Sequence, residues 1–207
     1  MAPYKCGCPR GIGFGYVSDR MSALDHDKLI SKDKSIWELG SPASGHFAAI
    51  SAYVDYICWF GAAFIKTDNR RTLFVEGINR IKMHERALMF AMLNGTAKCK
   101  GLRDIKGVTV YLDYEDLTKR DFIMAIGFDN MNHKQAVSIL ESEGVISFER
   151  VISSPYSSRM LRSLKFDGCV RVSPLHCHNI NGIEKFLKIV EKNSNESKIE
   201  KFNQSIS

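Results

Sequence analysis

Hydrophobic positions along the chain change period twice. In residues 71–93, Phe74, Ile78, Ile81, Leu88 and Met92 recur at three- and four-residue steps with one longer gap. That spacing predicts a long amphipathic helix. Asn94-Gly95 follows as a stop signal. From residue 107 the period drops to two. Val108, Val110 and Leu112 alternate with Thr109, Tyr111 and Asp113, which predicts a strand. Residues 122–128 predict a second strand, more apolar and therefore central. Residues 133–143 predict a helix closed by Gly144, 145–150 a third strand, and 170–173 a fourth. A last helix, 181–192, places Ile183, Phe186, Leu187 and Val190 on one face. Strand, strand, helix, strand, strand, helix describes a small α/β layer domain. The polar stretch 193–207 is expected to fray.

The first third is less regular. Residues 12–17 alternate apolar side chains with Gly13 and Gly15 and predict a buried strand. Residues 25–36 carry Lys28, Lys32, Asp33 and Lys34 and predict a surface loop. Gly40-Ser41-Pro42 predicts a turn. Residues 47–65 are apolar almost all round. Asp55 lies mid-stretch, and an acidic residue at the centre of a spanning helix costs about 2.5–3.5 kcal/mol. A buried helix of a core, rather than a membrane span, is the expectation. Residues 66–71 form a charged linker, and Met83, Met89 and Met92 are expected to pack rather than to bind a cofactor.

Composition adds limits. The chain has 207 residues, enough for one or two domains with a substantial core. Its net charge is +6, but lysines and arginines are scattered without a dense basic run. A nucleic-acid partner is therefore not expected. Cys6, Cys8, Cys58, Cys99, Cys169 and Cys177 follow no secretory signal in this sequence. Reduced thiols in a cytoplasmic protein are the expectation. Cys6-x-Cys8 and His176-Cys177-His178 lack the spacing of structural zinc sites, so no metal is expected.

Two segments carry candidate chemistry. In the first, Tyr4-Lys5-Cys6-Gly7-Cys8-Pro9 leads into Gly11-Ile12-Gly13. Glycines alternating with apolar residues let a flat ligand approach the backbone. A desolvated lysine beside them gives up its proton more easily and forms Schiff bases. Residue pattern alone favours a solvated loop lysine. In the second, Arg171 lies inside the strand of Gly168-Cys169-Val170-Arg171-Val172-Ser173, ahead of His176 and Asn179. An arginine in a strand is costly to bury unpaired, and its planar fork suits a carboxylate. A structural salt bridge is the commoner fate of such an arginine.

The spacing of Lys5, Pro9 and Gly11-Ile12-Gly13 resembles the lysine segment of aminotransferase class V proteins, the fold-type I group that contains cysteine desulfurases. Glu38-Leu39-Gly40-Ser41-Pro42 is similar to the family's E-x-G-T-P run, and the Arg171 to Asn179 segment to its R-x-S…HYN-T run. The three occur in the family's order and reach from Lys5 to about Val190. The departures are Tyr4, Cys8 and Cys177-His178. The resemblance implies an α/β fold: the C-terminal part of a pyridoxal phosphate (PLP) dependent transferase large domain, a long connecting helix and a small C-terminal α/β domain. It assigns residues 1–93 to the large-domain remnant and connecting helix, 94–193 to the small domain, and 194–207 to a disordered tail.

The same resemblance implies that Lys5 carries PLP as a Schiff base and that Ser41 reaches the PLP phosphate of a partner subunit. Arg171 is implied to grip the α-carboxylate of an amino-acid substrate. The reaction class stays open among transaminase, lyase and desulfurase-like chemistry. Residues 152–168 hold no cysteine where a desulfurase has its persulfide-forming residue; Tyr156 stands near that place. The family's N-terminal part is not in this sequence, so the implied partner is a second copy or a complementary N-terminal half. The alternative is a catalytically incomplete fragment serving as an assembly module, with apolar surface exposed around Phe14 and residues 47–65.

Overall fold

A computed structural model describes residues 7–30, 33, 37, 39–40 and 43–195. Lys5 and Ser41 lie outside the described residues. The chain divides into two compact units, Met1–Arg80 and Ile81–Ser207.

The second unit is built on an antiparallel sheet of four strands, β1 (Val108–Tyr111), β2 (Met124–Phe128), β3 (Phe148–Val151) and β4 (Gly168–Val172). Their order is β1-β2-β4-β3, so β2 and β4 are central. Alternation decides the faces. Met124, Ile126 and Phe128 on β2, with Val170 and Val172 on β4, are buried in one apolar cluster. Fully burying each such side chain is worth about 1.5–3 kcal/mol. The register pairs Ile126 with Val170, which fixes the shared face.

Helices cover that face. α4 (His133–Ser142) contributes Ala136 and Leu140, and α6 (Ile180–Asn195) contributes Ile183, Phe186, Leu187, Ile189 and Val190. The end of α3 (Arg70–Asn94) adds Leu88, Met89, Met92 and Leu93. The methionines split as packing dictates: Met89 and Met92 are buried and Met83 is exposed. Helix α4 starts where it does because Asn132 and Gln135 form a capping box, each side chain bonded to the other's backbone N–H at 3.0 Å. Helix α3 stops at Gly95, whose φ of +84° is left-handed.

Three expectations in this unit need adjustment. A helix α5 (Ser158–Leu164) lies between β3 and β4, where none was predicted. It is short and buries only Leu161, too little for a periodic signal. The third strand begins at Phe148, later than predicted. The last helix continues through Asn193, Ser194 and Asn195, because Asn193 is buried and donates to Glu143 Oε1 at 2.7 Å and Ile189 O at 2.8 Å.

The first unit holds α1 (Asp19–Ser22), α2 (Ser44–Ala62) and the opening turns of α3. α2 and α3 touch along a seam of small residues. A Cβ on Gly61 would stand 2.1 Å from Leu73 O, and one on Gly77 would stand 2.2 Å from Ile57 O. Only glycine permits this backbone approach. Asp55, the charge within the apolar stretch, pairs with Arg70. Arg80 lies 4.3 Å above the Phe64 ring centroid and bonds Glu76 at 2.7 Å.

Two expectations fail here. Residues 12–17 form no strand, and Tyr16 is 91% exposed. Alternation alone does not make a strand, which needs a hydrogen-bonded neighbour along its length. α2 was expected to be buried, yet Ile57, Cys58 and Gly61 are its only buried residues, and Trp59 is 70% exposed. Its contact with α3 is one narrow seam, which leaves the other apolar positions uncovered. Among the described residues, no helix is long and apolar enough to cross a membrane.

Candidate functional site

The sheet face opposite the core is where Arg171 stands. Its neighbours Val170 and Val172 point into the helical layer, so period-two alternation turns Arg171 and Cys169 the other way. The register adds the flanking residues. Arg171 pairs with Ala125 on β2 and with Phe148 on β3, and Ala125 pairs with Tyr111 on β1. Cys169 pairs with Arg150. One face thus gathers Tyr111, Ala125, Cys169, Arg171, Phe148 and Arg150.

The Arg171 guanidinium carbon is 5.8 Å from the Phe148 ring centroid. Its Nε is buried and has no hydrogen-bond partner among the described residues. The guanidinium's hold on its proton is weakened, first by desolvation and then by the charge of Arg150. The salt bridge that would be the ordinary explanation of a strand arginine is not found among the described residues. Arg103 shows the contrast, since it bonds both carboxylate oxygens of Asp113 at 2.6 and 2.8 Å. Arg171 is thus left able to take a carboxylate from solution.

Cys169 is 4% exposed, and burial pushes its thiol pKa up despite Arg150 and Arg171 nearby. A buried, protonated thiol is a poor nucleophile. Tyr156, near the place where a persulfide cysteine was sought, is 99% exposed. Glu85 is held above the ordinary carboxylate range, chiefly by burial and against the pull of His176. His84 Nε2 lies 3.0 Å from His178 O. Among the described residues, no group of three or more histidine, cysteine or acidic side chains is arranged to hold a metal.

The structure places one of the three predicted site residues, Arg171. Lys5 and Ser41 belong to segments outside the described residues. Just beyond Lys5, Gly7 has a φ of +87° and no described atom within 4 Å of where a Cβ would stand; Gly15 is open in the same way. Open glycine backbone on this segment fits the approach of a flat ring. Sequence reasoning missed Arg150. Alternation within β3 puts Arg150 on one face with Phe148, but only the register with β4 brings that face to Arg171.

No family model matches this chain, and no curated protein does. Solved structures do match. A cysteine desulfurase from Thermococcus onnurineus NA1, in its apo form, aligns with 88% of this chain at a TM-score of 0.59 and 20% identity. The cysteine desulfurase CsdA from Escherichia coli, with S-sulfonic acid, aligns with 75% at a TM-score of 0.53 and 16% identity. The chain shares its fold with part of these enzymes. It spans 38% and 31% of the two chains respectively, about a third of their length. At such identities the likeness concerns the fold alone, and the roles of residues rest on the site's own chemistry.

Proposed function

We propose that this chain is the C-terminal part of a PLP-dependent, aminotransferase class V-like protein acting on an amino-acid substrate. The observation that carries the reading is Arg171: a guanidinium on a central strand, its Nε buried and unpartnered among the described residues. The fold shared with cysteine desulfurases and the order of the Lys5, Ser41 and Arg171 motifs support it.

In this reading Lys5 holds the cofactor and moves a proton at the substrate α-carbon as base and acid. PLP, when bound, supplies the electron sink. The open backbone at Gly7 and Gly15 admits its ring. The Ser41 hydroxyl donates to the cofactor phosphate of a partner subunit. Arg171 fixes the α-carboxylate bidentately and so selects which α-carbon bond is aligned for cleavage. The aromatic ring of Phe148 shields one side of the guanidinium from water, which strengthens its grip on an anion. The buried thiol of Cys169 is not suited to carry a persulfide, and the reaction class stays open among transaminase, lyase and desulfurase-like chemistry.

The test is a titration of isotope-labelled protein with L-alanine, observing the Arg171 Nε–H resonance assigned by its loss in Arg171→Lys. A saturable shift supports the reading, and an unmoved resonance at high L-alanine overturns the carboxylate role.

A second reading has its own observation. Phe47, Trp59 and Phe64 on and beside α2 are exposed, as is Phe14. Exposed apolar area of this kind marks contact surfaces, and the chain then serves as an assembly module without catalysis. Sedimentation equilibrium showing a monomer at every concentration would argue against it.

A further inference from the structure

The antiparallel register of β3 and β4 sets Phe148 opposite Arg171 and Arg150 opposite Cys169. Arg150 is therefore the diagonal neighbour of Arg171 on the same face. Diagonal Cβ atoms in such a pair are about 7–8 Å apart, within reach of two long side chains. The two guanidiniums feel each other, since the charge of Arg150 lowers the proton affinity of Arg171. Two like charges this near each other repel, and an anion held between them relieves the repulsion.

No such anion comes from the described residues. Arg150 Nη1 donates to the backbone carbonyl of its neighbour Glu149 at 3.0 Å, and Arg171 Nε has no partner. Arg70, Arg80 and Arg103 each meet a carboxylate, whereas no described carboxylate pairs with Arg150 or Arg171. Ala125, paired with Arg171, is small, and Cys169, paired with Arg150, is small and buried. Two planar forks at diagonal positions suit a ligand with two carboxylates separated by a short carbon chain.

We infer that Arg150 and Arg171 form a two-guanidinium site for a dicarboxylic amino acid, Arg171 taking the α-carboxylate and Arg150 the side-chain carboxylate. This rests on the reading of Arg171 given above and adds the substrate class.

Calorimetric titration of the full chain tests it, with L-aspartate, succinate, L-alanine, acetate and inorganic phosphate as probes. The dicarboxylates are expected to bind at least about tenfold more tightly than L-alanine and acetate, and more tightly than phosphate. Arg150→Gln removes that advantage, and Arg150→Lys, which keeps the charge, restores part of it. Arg171→Gln abolishes binding of L-alanine and L-aspartate alike. If L-aspartate binds no better than L-alanine, or if Arg150→Gln leaves the preference intact, the inference is overturned while the Arg171 reading stands. Phosphate binding as tightly as succinate overturns it as well. If Arg171→Gln changes neither amino acid's affinity, both fail together. Circular dichroism of each variant verifies that the sheet is retained.

Discussion

Asn193, near the end of α6, donates through Nδ2 to Glu143 Oε1 at the end of α4, 2.7 Å away. The same amide reaches Ile189 O at 2.8 Å, and Lys192 reaches Glu143 Oε2 at 3.3 Å. Two of the helices that cover the sheet, α4 and α6, are thus tied at one end by a buried polar group. Asn193→Ala leaves Glu143 without its inner donor and is expected to cost about 1–2 kcal/mol. Urea denaturation of the variant reads this directly, and an unchanged midpoint would show that the Asn193 bond contributes nothing to stability.

Gly77 decides the packing of the first unit. An added methyl meets the Ile57 backbone, which has no room to give. Gly77→Ala should therefore destabilise by about 1–3 kcal/mol, although alanine favours a helix by about 1 kcal/mol. Gly45→Ala is the control, because Gly45 lies in α2 with no described atom within 4 Å of its Cβ position. It should be neutral or mildly stabilising. Thermal melts of both variants give the comparison, and equal behaviour would contradict the glycine seam.

Glu184 accepts a hydrogen bond from Thr96 Oγ1 at 2.9 Å and pairs with Lys98 at 3.4 Å. The Thr96 bond, and then Lys98, hold its carboxyl below the ordinary range against the opposing effect of burial. A depressed carboxylate contributes stability that is present above the unfolded pKa, about 4.3, and is lost as pH falls through the folded one. Thr96→Val should accordingly be less stable than the parent at pH 7, with the gap closing below pH 4. A gap independent of pH would show that Thr96 acts through packing instead.

Cys169 and Cys177 differ in exposure, the first buried and the second open to solvent. Iodoacetamide should modify Cys177 in the native protein and reach Cys169 only after unfolding. Peptide mass spectrometry reads both sites in one experiment. Equal rates would make Cys169 a reactive thiol and favour the desulfurase reading.

Periodic patterns made much of the second unit legible. α3, α4 and α6 bury one face each, and β2 and β4 alternate or run apolar as central strands do. α5 was invisible because seven residues with one buried leucine carry no period. Residues 12–17 have the alternation of a strand, but whether a neighbour pairs with it is a long-range fact. The apolar surround of α2 has the same weakness: composition says that a residue wants cover, not that this chain provides it. Arg171 was legible because a charge interrupts an apolar strand. Arg150 was not, since its importance comes from a register between strands separated by α5. Lys5 and Ser41 were singled out by motif resemblance, and the described residues do not include them.

The proposed chemistry turns on a cofactor lysine at position 5. Incubation of the purified chain with PLP, borohydride reduction and peptide mass mapping test it most directly, with Lys5→Ala run in parallel to account for slow reaction at exposed lysines. Selective labelling of Lys5, with a visible absorption band that the variant lacks, is the predicted result. Labelling spread over many lysines, with the same spectrum in Lys5→Ala, would contradict it.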